Sequence, residues 1–450
     1  MSHYKSYPAY KDSGVEWLGR VPQHWQIKRL KHIANVQTGV AKGKDNEGKD
    51  TIEVPYLRVA NVQDGYLSLD DVATIEIPRE DLTRYSLQPG DVLMNEGGDF
   101  DKLGRGSVWQ GEIEPCIHQN HVFAVRPTAV SSAWLNALTG SLAAQFYFMG
   151  RAKQSTNLAS ISSSNIMELP VAMPPATEVD LLLAHLDRET VRIDALIEKK
   201  TRFIELLREK RQALITHAVT KGLDPSVKMK DSGVEWLGEV PEHWTVKRLK
   251  FIATVQTGIA KGKDNAEKDT VEVPYLRVAN VQDGYLDLGE VATIEVSTTD
   301  LPRYLVQPGD VLMNEGGDFD KLGRGHVWHG EIEPCIHQNH VFAVRPHGVS
   351  SEWLNTFTSS AAAQFYFMGR SKQSTNLASI SSSNLMELAV PLPSEEEQRL
   401  ILDGLHRQAS QVNALLAQTE RSIELLKERR SALITAAVTG QIDLRDAACH

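Results

Sequence analysis

The sequence predicts an α+β protein made of two tandem α/β domains, each followed by one long helix. Three observations carry that prediction. The first is an internal repeat: Lys11-Asp12-Ser13-Gly14-Val15-Glu16-Trp17-Leu18-Gly19 returns as Lys230 through Gly238, Asn95 through Gly106 returns as Asn314 through Gly325, and Ile204-Glu205-Leu206-Leu207 returns as Ile423 through Leu426, each 219 positions on. A period this long, repeated only twice, means two domain-sized units rather than a solenoid. The second is a mixture of short strand and helix signals over residues 20–175. The third is a sustained heptad pattern that starts near Thr177 and recurs in the copy. Together they divide the chain into a domain over 1–175, a helix over 176–221, a linker and second domain over 222–394, a helix over 395–440 and a tail over 441–450.

In the first domain Val54-Pro55-Tyr56-Leu57-Arg58-Val59-Ala60-Asn61-Val62 is rich in strand formers and breaks at Asp64-Gly65. Gln88-Pro89-Gly90-Asp91 is a turn that feeds a short buried strand, Val92-Leu93-Met94. His121 through Arg126 reads as another strand, stopped by Pro127. Ala133 to Met149 has helical composition, and Gly39, Gly43, Gly97, Gly98, Gly104 and Gly106 mark loops or tight turns. In the long helix Val179, Leu183, Leu186, Ile193, Ile197, Ile204, Leu207, Leu214 and Ala218 follow three- and four-residue steps, with Thr190, Lys200 and Arg211 as polar exceptions. About 42 such residues make a helix of roughly 60 Å. Its stripe needs a partner, and the repeat equivalent through Leu402, Leu405, Val412, Leu416, Ile423, Leu426, Leu433 and Ala437 supplies one. Gly222 and Leu223-Asp224-Pro225 open the linker.

Composition narrows the class. The 450 residues are 41% hydrophobic and 24% charged, ordinary for a soluble globular protein. No segment approaches the roughly 20 apolar residues of a membrane span, and Met1 to Ser6 lacks a signal-peptide core. Cys116 and Cys335 are repeat equivalents and Cys449 is the third cysteine, a usage that fits a reducing cytoplasm without disulfides. The net charge of −10 argues against a nonspecific nucleic-acid coat, but not against sequence-specific DNA binding by local basic patches.

Catalytic signatures are missing from the sequence: no phosphate-binding loop, no Asn/Asp-Pro-Pro-Tyr/Phe methyltransferase signature, no dinucleotide fingerprint, no Gly-x-Ser-x-Gly and no His-Glu-x-x-His. Cys116-Ile117-His118-Gln119-Asn120-His121 has zinc-like residue types but no second ligand pair at the usual spacing. It reads either as a loop satisfying its own backbone or as a contact to bases and phosphates. Arg, Lys, Asn and Gln match the edges of guanine and adenine, and Ser and Thr hydroxyls hold phosphates. On that chemistry the candidate DNA-contacting residues are Gln37, Thr38, Lys42 and Lys44; Asn95, Lys102 and Arg105; His118, Gln119, Asn120 and His121; and Arg151, Lys153, Ser155, Thr156 and Asn157. Their equivalents are Gln256, Thr257, Lys261, Lys263, Asn314, Lys321, Arg324, His337, Gln338, Asn339, His340, Arg370, Lys372, Ser374, Thr375 and Asn376. No catalytic and no metal-binding residue is assigned.

Domain, long helix, domain, long helix resembles the specificity (S) subunit of type I restriction–modification systems over essentially the whole chain. The local marks are Lys11 through Gly19 with Val21-Pro22-Gln23-His24-Trp25, the copy at Lys230 to Trp244, Tyr56 through Val62, Gly90-Asp91-Val92-Leu93, and Glu205-Leu206-Leu207 with Arg211 through Ile215. The resemblance implies that each α/β half is a target-recognition domain and that the helices pair antiparallel as a coiled coil. It implies double-stranded DNA and two modification (M) subunits as partners, with restriction (R) subunits added, and no membrane. S-adenosylmethionine would belong to the adenine-methylating M subunits, ATP and magnesium to the R subunits, and no cofactor to this chain. A self-sufficient methyltransferase or nuclease is the alternative, against which the missing motifs count; a scaffold without a DNA role is another. Near-identity of the two copies adds an expectation of its own: an interrupted palindrome with an adenine in each half, its half-site centres about one to one and a half DNA turns apart.

Overall fold

The computed structural model describes residues 4–43, 47–98, 103–104, 106–155, 158–261, 269–317, 322–374 and 377–445. The chain forms two compact units: residues 1–200 with 421–450, and residues 201–420. Each unit therefore contains one copy's α/β domain, the start of that copy's long helix and the end of the other long helix.

In unit 1 the central sheet is antiparallel, in the order Ala34–Thr38, Val122–Pro127, Val92–Asn95, Gly106–Val108. Alternation along the two middle strands explains why both read as apolar runs. Val92, Met94, Phe123 and Val125 point into one core cluster, which includes Trp25, Trp134 and Phe148. Leu93, Val122 and Ala124 point to the other face, against Leu57, Trp109 and Cys116. Trp25 meets Trp134 edge-on at 5.8 Å, and Trp134 Nε1 donates to the Ala172 carbonyl at 2.8 Å. A second sheet pairs Ile117–His118 parallel to Tyr56–Leu57, with Ala73–Pro78 antiparallel on the far side. Short helices start at serine caps: Ser131, Ser141 and Ser162 accept from the backbone N–H groups of Trp134, Ala144 and Asn165. Unit 2 repeats the central sheet with Ala253–Thr257, Val341–Pro346, Val311–Asn314 and Gly325–Val327.

The long helices span Ala176–Lys221 and Glu395–Val438. Along the first seam Val179, Leu186, Ile193, Ile204, Leu207 and Ala218 are buried, and Leu183, Ile197 and Leu214 are half-buried. Full burial of such a side chain contributes roughly 1.5–3 kcal/mol. Within unit 1, Val179, Leu182 and Leu186 share a cluster with Leu433, Ala437 and Val438, and farther along Asp194 meets Arg430 at 3.0 Å. Within unit 2, Arg208 meets Glu420 at 3.3 Å, and Ala218 and Val219 cluster with Ile401, Leu402 and Leu405. In each unit the partner's number falls as the residue number rises, so the helix segments run antiparallel.

Two further contacts fix the helices to their domains. Leu142 N–H, at the start of Leu142–Met149, donates to Thr435 Oγ1 at 3.0 Å, and Ala361 N–H in unit 2 donates to Thr216 Oγ1 at 2.8 Å. Glu178, buried near the start of the first long helix, accepts from Tyr7 Oη at 2.6 Å and Trp25 Nε1 at 3.1 Å, with His24 Nε2 at 2.7 Å. Among the described residues no helix is long and apolar enough to cross a membrane.

Candidate nucleic-acid interface

Segments from four sequence-distant clusters selected for DNA contact are brought side by side in unit 1 and stitched by backbone hydrogen bonds. Beyond the strand that carries Gln37 and Thr38, Val40 N–H donates to the His118 carbonyl at 2.9 Å, and Asn120 N–H returns the bond to Val40 at 3.1 Å. The approach is so close that a Cβ on Gly39 would lie 2.0 Å from the His118 oxygen, so only glycine fits between the two segments. Glu96 N–H donates to the His121 carbonyl, and Ile161 N–H donates to that of Glu96, each at 2.9 Å. A small sheet then joins Gly97–Gly98 to Leu158–Ser160 and that strand to Lys153–Ser155. Unit 2 repeats the construction: Ile259 N–H to His337, Asn339 N–H to Ile259, Glu315 N–H to His340 and Ile380 N–H to Glu315, at 2.9–3.1 Å.

Within this surface the predicted residues divide by depth. Thr38, Lys42, His121, Arg151 and Lys153 are exposed, as are Thr257, Lys261, His340, Arg370 and Lys372. Gln37, Gln119, Asn120, Gln256, Gln338, Asn339 and Arg324 are half-buried. Arg151 stands over the Tyr147 ring at 4.6 Å and Arg370 over Tyr366 at 6.0 Å, which leaves each guanidinium edge to make hydrogen bonds. Glu96 Oε2 accepts from His121 Nδ1 at 2.7 Å, and Asn120 Nδ2 lies 3.4 Å from His121 Nε2. A neutral imidazole satisfies both contacts, donating from Nδ1 and accepting at Nε2. Glu315, His340 and Asn339 form the same chain in unit 2.

Four of the predicted residues are interior instead. His118 and His337 are fully buried; each donates from Nδ1 to a carbonyl four residues on, Val122 or Val341, at 2.7 Å. Burial holds both imidazoles below their ordinary pKa, His337 at about 4, so both rings are neutral at pH 7. Asn95 and Asn314 are also buried, each donating from Nδ2 at 2.9 Å to the carbonyl of Val62 or Val281. The physical reason is common to all four: they sit on short strands covered on both faces. They brace the surface from beneath rather than face solvent. Lys44, Lys102, Arg105, Thr156, Asn157, Lys263, Lys321, Thr375 and Asn376 lie outside the described residues, as do the side chains of Ser155 and Ser374.

Sequence reasoning missed the exposed aromatics. Tyr66 and Tyr285 are 60% and 57% exposed at the tip of a turn, and Phe146 and Phe365 are 69% and 66% exposed on the helix that carries Tyr147 or Tyr366. The turn is held from below by the Asn95 side chain on Val62 and by Gly65 N–H on the Gly106 carbonyl at 3.0 Å. The available signal was the Asp64-Gly65-Tyr66 triplet, which the strand pattern treats only as a break. Among the described residues no group of three or more His, Cys, Asp or Glu is placed to hold a metal ion. Burial pushes the Cys116 thiol up to about 12, so it is neither a thiolate ligand nor a nucleophile at neutral pH.

Comparison with known proteins points the same way as the surface. The sequence model of the family described as type I restriction modification DNA specificity domain matches residues 241–425. The offset of 219 makes 22–206 the equivalent stretch of the first copy. The chain is similar to a putative type I restriction enzyme MjaX specificity subunit of Methanocaldococcus jannaschii, 26% identical over 95% of this chain and 96% of that one. It is similar also to the EcoKI specificity subunit of Escherichia coli, 21% identical over 94% and 90%. Among solved structures, a chain from a study of complex assembly and conformational transition of the type I R-M system superposes with a TM-score of 0.67. It is 16% identical, and the match covers 93% of this chain and 98% of that one, so the two share a fold. With a family match on one copy, its repeat in the other and end-to-end relatives, this chain is similar to type I restriction–modification DNA specificity subunits along its whole length.

Proposed function

We propose that the chain is the non-catalytic specificity subunit of a type I restriction–modification complex, and that its two units read the two halves of one DNA site. The observation that carries the reading is the composite surface, built twice from the same residue types with the same backbone contacts. Exposed Arg151, Lys153, Lys42, Arg370, Lys372 and Lys261 supply phosphate-binding charge, and Gln119, Asn120, Gln338 and Asn339 supply amides for base edges. Equivalent readers favour an interrupted palindrome with an adenine in each half, spaced about one to one and a half DNA turns centre to centre. Two M subunits carrying S-adenosylmethionine would dock on the paired helices, and R subunits would add ATP- and magnesium-dependent cleavage. The complex would act in the cytoplasm.

The test is to co-express the chain with its M subunit and map methylated adenines across a genome by single-molecule sequencing. The expected motif is the same on both strands around a nonspecific spacer. An asymmetric motif would overturn the palindrome. Methyl transfer by the purified chain alone would overturn the non-catalytic assignment.

A further inference from the structure

Unit 2 contains a cavity of about 260 Å³ on which three buried, unpartnered polar atoms converge: Arg211 Nε, His326 Nδ1 and Asn355 Oδ1. The cavity lies between segments of the two long helices and the helix Ser351–Thr358. Folded proteins rarely leave such atoms unmatched, and three around one space mark a site that a ligand or ordered water completes.

The repeat shows what is missing. Arg430 is the counterpart of Arg211, and in unit 1 its Nε lies 3.0 Å from Asp194 Oδ1. The counterpart of Asp194 is Asn413, which lines the unit 2 cavity with a neutral amide in place of a carboxylate. Other walls have changed with it: His326 stands where the first copy has Ser107, and Glu352 where it has Ala133. Burial and the neighbouring His329 hold the His326 pKa low, so that ring adds hydrogen-bonding capacity and no charge at pH 7. Arg211 therefore lines the space without its built-in counter-ion, while other lining residues offer acceptors: Asn355 Oδ1, Glu352 and the exposed Asp283.

We propose that this cavity binds a free amino acid. Its carboxylate would take the place on Arg211 that Asp194 occupies in unit 1, and its ammonium would face Asn355, Glu352 and Asp283. A zwitterion matches one cation on one side and carboxylates on the other. Inorganic phosphate or a dicarboxylate would set a second negative charge against Glu352 and Asp283. The space corresponds to roughly nine water volumes at about 30 Å³ each, enough for a small amino acid.

The experiment is calorimetric titration and thermal melting of the full chain, without DNA, so that its outcome is independent of the specificity role. The probes are the protein amino acids singly, acetate, ethylammonium and inorganic phosphate. At least one amino acid should bind and raise the melting temperature, with acetate, ethylammonium and phosphate at least roughly tenfold weaker. Asn413→Asp restores the internal carboxylate and should abolish that binding without lowering the melting temperature; Arg211→Gln should abolish it as well. No amino acid binding, equal response to phosphate or acetate, or undiminished binding by Asn413→Asp would overturn the proposal and leave a water-filled cavity.

Discussion

Glu178 and Glu397 are the third residues of the two long helices and occupy the same place in the two copies, yet they are held differently. Glu178 is 5% exposed and gathers Tyr7, Trp25 and His24, whereas the Glu397 side chain is 27% exposed and, among the described residues, gathers Trp244 at 3.0 Å and His243 at 2.9 Å. The counterpart of Tyr7 is Ser226, whose hydroxyl turns to Asp224 at 2.6 Å. The difference follows from connectivity. In unit 2 the peptide chain runs continuously from the end of the first long helix through residues 222–229 into the second domain. In unit 1 two segments distant in sequence come together instead: Asp443 N–H donates to the Lys5 carbonyl at 2.7 Å, Gln441 Nε2 donates to Arg20 at 2.9 Å, and Arg445 stacks on Tyr7 at 4.9 Å. Backbone and side-chain contacts there supply what a covalent link supplies in unit 2.

The largest expected effect falls on the element both units share. Leu207 is buried in the helix seam of unit 2, so Leu207→Asp removes apolar packing and desolvates a carboxylate there and should destabilise that unit by at least about 4 kcal/mol. Circular dichroism melts should show one unit unfolding early; an unchanged melt would show that the seam does not hold the helices.

The next effect separates the units. Glu178→Ala strands the buried Tyr7 hydroxyl and Trp25 N–H and should cost about 3 kcal/mol, against about 1 kcal/mol for Glu397→Ala at its wetter site. Urea unfolding of the two variants measures the gap. Equal costs would mean that Tyr7 and its neighbours do not anchor the joined segments.

Much of this was legible in the sequence, for reasons that also mark the limits. The three- and four-residue steps from Val179 to Ala218 identify the seam because a helix repeats its face on a fixed period. The two-sided burial of Val92-Leu93-Met94 follows from an unbroken apolar run. Convergence of the candidate clusters was not legible, because it rests on pairings such as Val40 with His118 and Glu96 with His121, which no local pattern encodes. His118 looks like a surface residue beside Gln119 and Asn120. It is interior because its two-residue strand pairs with Tyr56–Leu57 and is covered on both faces, so alternation cannot sort its neighbours. Arg211 was read only as a polar exception in the seam, since only the pairing of the helices sets it around one cavity with Asn413.

The smallest expected difference lies beneath the two candidate surfaces. In unit 2 Gln256 Nε2 lies 3.4 Å from His337 Nε2, a donor for the lone pair of the neutral ring. In unit 1 Gln37 donates to the Arg84 carbonyl instead, and the buried His118 Nε2 has no partner. Both histidines have folded-state pKa values below the unfolded value of about 6.5, so the unfolded chain takes up their protons first. Their contribution is therefore fully present above about pH 6.5 and is lost as pH falls toward about 4, the value for His337. For His337 the loss is on the order of 3 kcal/mol across that window. Urea midpoints should fall between pH 7 and pH 4.5, and His337→Gln should flatten the unit 2 profile while leaving that of unit 1. Gln256→Ala should steepen nothing but lower the unit 2 midpoint by about 1 kcal/mol at pH 7, because it withdraws a hydrogen bond from the neutral ring. Gln37→Ala, which touches no imidazole, should leave the unit 1 midpoint within about 0.5 kcal/mol. Matching effects from the two glutamine variants would show that the Gln256 contact contributes nothing, and that the two surfaces rest on identical supports.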